Sequence, residues 1–411
     1  MAAALALVVA SPARATNGMR MIGFGPVQNS MGGVGVGATL DSASILSNPA
    51  GITDLGARVD FGATFFLPTV KFSATGTDTG QPGPNPFVNQ PGVTLESSRG
   101  GSPIPAFGIV IPIDDQWTFG IGAYGVAGMG VDYAANLYSS TTFSSYSQMR
   151  FTPGVAYKLN KMFSFGATLN VMYGSMEWNV ANQFGQVPHN TAGSFGLGGT
   201  IGVKVTPIDM LTIGAAFETT SFFQDYAFNT PQGVDKLTFN QPCVVTVGAS
   251  VKPIEMLLIA ADVQWINWSA TNGANKPAFS QNASQAMPWN LNWSSQFVFK
   301  LGVQVTPLEW LAIRAGYNYG KNPLDASRAF ENIAFPAIAE NHITLGAGFN
   351  IGKHVVLNVG GMYSPATSLT GSNPDFPQGT PGYPGPFGQG IASYTTTMTQ
   401  VGIDAGIAYK F

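Results

Sequence analysis

From Gly56 onward, apolar side chains recur at every second position. After Glu309 they are Leu311, Ile313, Ala315, Tyr317 and Tyr319, with Ala312, Arg314, Gly316 and Asn318 between them. The same odd-numbered parity runs through Phe163, Phe165, Ala167, Leu169, Val171 and Tyr173, through Phe297, Phe299, Leu301, Val303 and Val305, and through Val355, Leu357, Val359, Gly361 and Tyr363. A period of two marks a β-strand with one apolar face, and it divides the chain into about fourteen segments.

Short and long connections alternate between these segments. The short ones, 113–116, 158–161, 206–209, 252–255, 306–309 and 351–354, are rich in Asp, Asn, Pro and Gly and read as tight turns. The long ones lie near 72–103, 132–143, 179–193, 225–241, 270–292, 321–340 and 365–394. Six turns and seven loops require fourteen strands with both ends on one side. Bacterial barrels have this even count, with short periplasmic turns and longer outer loops.

Composition moves the pattern from water into lipid. Only 9% of residues are charged, against roughly 25% in a soluble domain. Beyond the first ten positions no apolar run reaches the ~18 residues of a spanning helix. The remaining solution for a backbone in hydrocarbon is a closed barrel, in which every N–H and C=O is paired. A soluble sandwich would turn a polar face outward. The predicted fold is therefore all-β, a fourteen-stranded antiparallel transmembrane β-barrel with odd positions toward lipid. Trp117 and Trp310 beside short turns, and Trp178, Trp265, Trp268 and Trp293 near the opposite ends, are expected to form two interfacial girdles.

Residues 2–10 are apolar and are followed by Ala13-Arg14-Ala15, the pattern of a secretory signal cleaved near Thr16. Residues 16–55 have little period-two character and carry the glycine-rich run 31–37, so they are expected to form no strand; a family resemblance carried by Asn48-Pro49-Ala50 implies that they plug the lumen as an N-terminal hatch. The chain thus divides into a signal at 1–15, a hatch at 16–55 and the barrel at 56–411. The last strand ends Tyr409-Lys410-Phe411 with its terminal ring on the lipid face. That ending resembles the signal read by the barrel assembly machinery.

The chemistry excludes several classes. A net charge of −3 offers no basic footprint for nucleic acid. Cys243 is the single cysteine, and His189, His342 and His354 have no metal-ligand spacing. No Gly-x-Ser-x-Gly elbow occurs, and Gly33-x-Gly35 lacks the strand that would precede a phosphate loop. Neither enzyme activity nor a cofactor is expected. His342 and His354 are expected to face the lumen, as are the even-numbered charges Arg150, Glu218, Asp262, Lys300, Arg314 and Asp404. Two readings of those charges stay open: they pair with one another or with the hatch, or Arg150, Lys300 and Arg314 receive a carboxylate head group.

The hatch continues through Asp41 to Thr53 with Asn48-Pro49-Ala50. Here the sequence resembles the long-chain fatty-acid transporter (FadL) family, which includes toluene and xylene transporters. The likeness extends through 111–117 and the 157–160 turn to the terminal Phe. It implies that Asn48, Pro49 and Ala50 are the hatch motif and that the third strand, with Gly125, Gly128 and Gly130, carries an inward kink through which ligand leaves sideways. The stretch 179–193 is short where well-known fatty-acid members have a long outer loop, so the capture site is expected to be built differently. The implied function is passive uptake of hydrophobic small molecules, long-chain fatty acids or hydrocarbons, in contact with outer-membrane lipid and lipopolysaccharide. The alternatives are a structural or surface-interaction barrel and, third, an aqueous porin.

Overall fold

The computed structural model describes residues 17–76, 94–137, 140–182, 185–230, 233–273, 291–329, 332–371 and 391–411. The expected signal peptide lies outside the described residues.

Fourteen antiparallel strands form one closed sheet: β1 Arg58–Gly76, β2 Ser102–Pro112, β3 Trp117–Leu137, β4 Ser140–Lys158, β5 Phe163–Asn182, β6 Gly185–Ile208, β7 Leu211–Glu218, β8 Val244–Ile254, β9 Leu257–Ile266, β10 Gln296–Leu308, β11 Leu311–Gly320, β12 Asn341–Ile351, β13 Val355–Gly371 and β14 Ile391–Lys410. Each pairs with its sequence neighbour, and β14 closes onto β1 in a register running from Arg58↔Lys410 to Gly76↔Ile391. Among the described residues no helix is long and apolar enough to cross a membrane.

The odd face is the outside. Phe61, Phe165, Leu169, Leu301, Ile343, Leu345 and Ile403 are exposed large apolar residues, whereas Arg150, Asp262, Asn318 and Asp404 are buried within. Leu301→Arg should therefore cost roughly 2–4 kcal/mol in an unfolding titration from lipid vesicles. Gln264→Arg, facing the lumenal cavity beside Glu218 and Asp262, should cost far less; equal losses would reverse the assignment of faces.

Local chemistry sets the turns. Asp114 accepts hydrogen bonds from the amides of Trp117 and Gln116 at 2.7 and 2.8 Å, and Asn160 does the same for Met162 and Phe163. The Trp117 and Gln116 amides hold the Asp114 carboxyl below its usual range. The three proline-bearing turns fall later than the sequence suggests. Pro207, Pro253 and Pro307 sit in irregular ends of β6, β8 and β10, and pairing resumes at Ile208↔Leu211, Ile254↔Leu257 and Leu308↔Leu311. Proline cannot donate to a ladder and is tolerated at such bulges, so the reversal itself is made by the two residues that follow.

The outer side departs from expectation in three places. The stretches near 132–143 and 179–193 are largely extended strand, with β3 and β4 reaching Leu137 and Ser140 and β5 and β6 reaching Asn182 and Gly185. The connection between β7 and β8 instead carries a small hairpin, Tyr226–Thr230 paired with Gly233–Leu237. His354 is corrected as well: it lies exposed in a short turn, its Nδ1 2.7 Å from the Lys410 carbonyl.

Candidate functional site

Residues 17–55 lie against the inner wall. They contribute two short α-helices, Gly25–Asn29 and Ser44–Ser47, and a 3-10 turn, Pro49–Asp54. Inward glycines make the close approach possible. A Cβ on Gly166 would collide with the Pro49–Ala50 backbone, one on Gly202 with Asn48, and one on Gly316 with the Gly32 amide. Gly32 itself has φ +67°, a left-handed turn that a side chain would strain.

Asn48-Pro49-Ala50 is a helix start that also fastens to the wall. The Asn48 side chain caps the turn by accepting from the Ala50 amide at 3.2 Å. Its Nδ2 donates to the carbonyls of Val36 at 2.9 Å and Val203 of β6 at 3.1 Å. Asparagine is a preferred cap, and proline at the first helical position loses no needed donor.

The inward charges hold this segment. Asp262 accepts from the amides of Gly35, Val36 and Gly37 at 2.9, 3.1 and 3.4 Å, so the glycine-rich run wraps a carboxylate of the barrel. Lys300 donates to the carbonyls of Ile22 and Gly33 at 2.9 and 3.2 Å. Asp404 accepts from Asn29 at 2.8 Å. Arg20 makes a two-pronged pair with Glu218 at 2.7 and 3.1 Å, and Arg150 of β4 bonds the same carboxylate. Arg314 donates to Gln304 at 2.7 Å and Asn358 at 3.0 Å. Burial, and then the Asp60 carboxylate, push the Asp41 carboxyl up to about 7.

The expected head-group contacts therefore do not converge on one point. Arg150 and Lys300 are engaged with Glu218 and with the N-terminal segment, and Arg314 is held by neighbouring amides. A cavity of about 30 Å³, room for a couple of water molecules, is bordered by Arg20, Phe24, Glu218, Asp262 and Lys300 but not by Arg150 or Arg314.

Above this belt, toward the long loops, the lumen is apolar. Met19, Phe72, Met129, Tyr133, Tyr146, Met172, Met176 and Trp178 from the N-terminal segment and the wall pack with Phe223, Tyr226, Phe228 and Phe239 of the β7–β8 connection and with residues 333–339. Trp268 and Trp293 join them edge to face at 5.1 Å. This corrects the girdle expectation: Trp178, Trp268 and Trp293 are buried inside, while Trp117 and Trp310 are exposed beside short turns. An aromatic ring that finds an apolar cluster gains more from full burial than from an interfacial position.

The third strand breaks the sheet beside this cluster. β2 and β3 pair only as far as Ala106↔Tyr124. At Gly125–Ala127 the register with β4 shifts, and Gly130 has φ +156°. Residues 126–131 are all buried, so the alternation of faces is lost. The freed edge is taken by the N-terminal segment: Met21 donates to the Val126 carbonyl at 3.1 Å, and Gly128 donates to Met19 at 3.0 Å. Gly125, Gly128 and Gly130 are thus brought to one place, and a Cβ on Gly125 or Gly130 would strike Ile104 or the Ser144 carbonyl. The role of Arg20 and Met19 here could not be read from sequence, because nothing periodic marks them.

The family model of outer membrane protein transport proteins (OMPP1/FadL/TodX) matches residues 25–385. No curated protein matches the sequence significantly. Among solved structures, a Pseudomonas aeruginosa FadL homologue aligns with TM-score 0.78 at 14% identity, over 96% of this chain and 100% of its own. The Pseudomonas putida toluene transporter TodX aligns with TM-score 0.72 at 17% identity, over 96% and 100%. The Ralstonia pickettii toluene transporter TbuX aligns with TM-score 0.68 at 18% identity, over 95% and 99%.

Proposed function

Because the chain belongs to the outer membrane transport protein family of OMPP1, FadL and TodX, we propose that it takes up hydrophobic small molecules, long-chain fatty acids or hydrocarbons, and releases them sideways into the bilayer at β3. The family is one of outer-membrane transport proteins, not of enzymes. Ligand enters from the outer loops, crosses the apolar cluster and leaves where β2 and β3 part. The observation that carries this reading is continuity: Ala127 and Met129 belong both to the apolar cluster and to the stretch of β3 that β2 leaves, and Met19 of the N-terminal segment, also in the cluster, lies against that stretch.

Passive partition is sufficient for the work. Each methylene moved out of water gains ~0.8 kcal/mol, so a continuous apolar route from loops to lipid needs no nucleotide. A straight path into the periplasm would return the chain to water, and the charged belt and residues 17–55 stand across it. The flexible thioethers of Met19, Met129, Met172 and Met176 suit a wall that must accept more than one shape.

Gly128→Trp tests the exit. Gly128 is buried and its amide donates to the Met19 carbonyl, so an indole here has to be accommodated inside the packed wall. Uptake of a labelled fatty acid or hydrocarbon should fall several-fold, while heat-modifiable migration of the barrel stays parental. A variant that assembles normally and transports at the parental rate removes the lateral route.

A further inference from the structure

One rung of the inner wall is polar over six adjacent strands. Asp262 of β9 stands directly opposite Lys300 of β10, Lys300 opposite Asn318 of β11, and Asn318 opposite His342 of β12. The pairings Ile343↔Tyr363 and Ser364↔Gln400 carry the same rung on to Ser364 of β13 and Gln400 of β14. Asn318, His342, Ser364 and Gln400 are all fully buried.

The rung lies at a boundary. Two residues toward the outside are Val298 and Met398, members of the apolar cluster. On the other side lies the N-terminal segment: Asn318 donates to the Gly32 carbonyl at 3.2 Å, and the Gly32 amide donates to Thr344 at 2.9 Å. A molecule descending through the apolar cluster along β10–β14 meets this rung before it meets the stretch around Gly32.

The two charged members are committed to that segment, Asp262 to three amides and Lys300 to two carbonyls. The four neutral members are not saturated. Asn318 Oδ1 and Ser364 Oγ are buried without a hydrogen bond to protein, while the His342 ring, short of ordinary hydrogen-bond geometry, faces the Gln400 side chain and the Asn318 main chain. Leaving such groups unmatched is costly, and a ligand that matches them is favoured over an analogue that does not.

We propose that the Asn318–His342–Ser364–Gln400 rung docks the neutral hydroxyl of an otherwise apolar molecule, an alcohol or a phenol. The proposal rests on the transport reading above and narrows its substrate class. The open amide oxygen of Asn318 calls for a donor, which an O–H supplies. The serine hydroxyl and the imidazole can each give or receive, so the ligand oxygen is satisfied as well. A carboxylate brings only acceptors to a place where an open acceptor already waits and the nearby ammonium of Lys300 is occupied. An alkane satisfies none of them.

The test is equilibrium binding of labelled 1-decanol, n-decane and decanoate to the full-length protein in detergent micelles, with heat-denatured protein as the blank for partition. Decanol should bind about tenfold more tightly than decane, the effect of one good buried hydrogen bond, and more tightly than decanoate. In Ser364→Ala and Gln400→Leu, each checked for heat-modifiable migration, the decanol-to-decane ratio should fall toward one; Ser364→Ala carries the test should the bulkier change block folding. Equal binding of decanol and decane by the parental protein, or tighter binding of decanoate, overturns the hydroxyl site and leaves the transport reading standing. Binding of none of the three overturns both.

Discussion

Glu218→Gln should destabilise the folded protein by roughly 3–5 kcal/mol, the cost of removing one partner from a buried ion pair. Glu218 is the shared anion for Arg20 and Arg150, and the side chains of all three are at most 7% exposed. The amide keeps the shape but leaves two guanidiniums face to face in a small polar cavity. Arg20→Met is the informative comparison, because it leaves a one-to-one pair between Arg150 and Glu218 and fills the space with an apolar chain. Its cost should be clearly smaller. Unfolding titrations from lipid vesicles measure both, and a Glu218→Gln loss no larger than that of Arg20→Met would mean that the cluster is hydrated and contributes little. Glu218→Gln should also loosen the residues around Arg20 that occupy the free edge of β3, seen as faster amide exchange at Met21 and Gly128.

Much of the barrel was legible because its cause is local and repeated. Every strand must put apolar side chains toward lipid, so parity alone separated Leu301 from Lys300 and Ile403 from Asp404, and turn composition supplied the strand count. Parity would also have corrected Trp178. Trp178 is an even residue in a strand whose odd residues face lipid, so its inward position was already written in the pattern, whereas grouping it by distance from the turns obscured this. The arrangement inside the lumen was not legible. Arg20 and Glu218 are 198 residues apart, and their meeting depends on where a non-periodic segment lies in a finished barrel. The glycine-rich run 31–37 marks a segment that forms no strand, but its wrapping of a carboxylate could not be read, because the partner, Asp262, lies on β9. The polar rung has a similar origin: Asn318, His342, Ser364 and Gln400 are unremarkable singly and become a group only through the register of four strands.

Deleting residues 17–55 should convert a closed barrel into a leaky one without preventing its assembly. Each of the fourteen strands pairs with both of its neighbours, β14 onto β1 included, and residues 17–55 add only a short bridge where β2 leaves the edge of β3. What they supply is filling. Apolar side chains such as Ile22, Met31, Val34, Ile45 and Ile52 pack against the wall in three separate clusters, and main-chain groups satisfy Asp262 and Lys300. Without them, water enters, and those charges are hydrated where they stand, so the loss in stability is limited while the lumen becomes continuous and wet. The outer apolar cluster loses Met19 and the floor beneath it, and is not expected to seal the opening alone. Folding should be read by heat-modifiable migration and closure by conductance in planar bilayers, with the parental protein silent and the deletion openly conducting. A deleted protein that assembles and stays silent would assign the barrier to the aromatic cluster and the β7–β8 hairpin, and residues 17–55 would then be a support for β3 and not a plug.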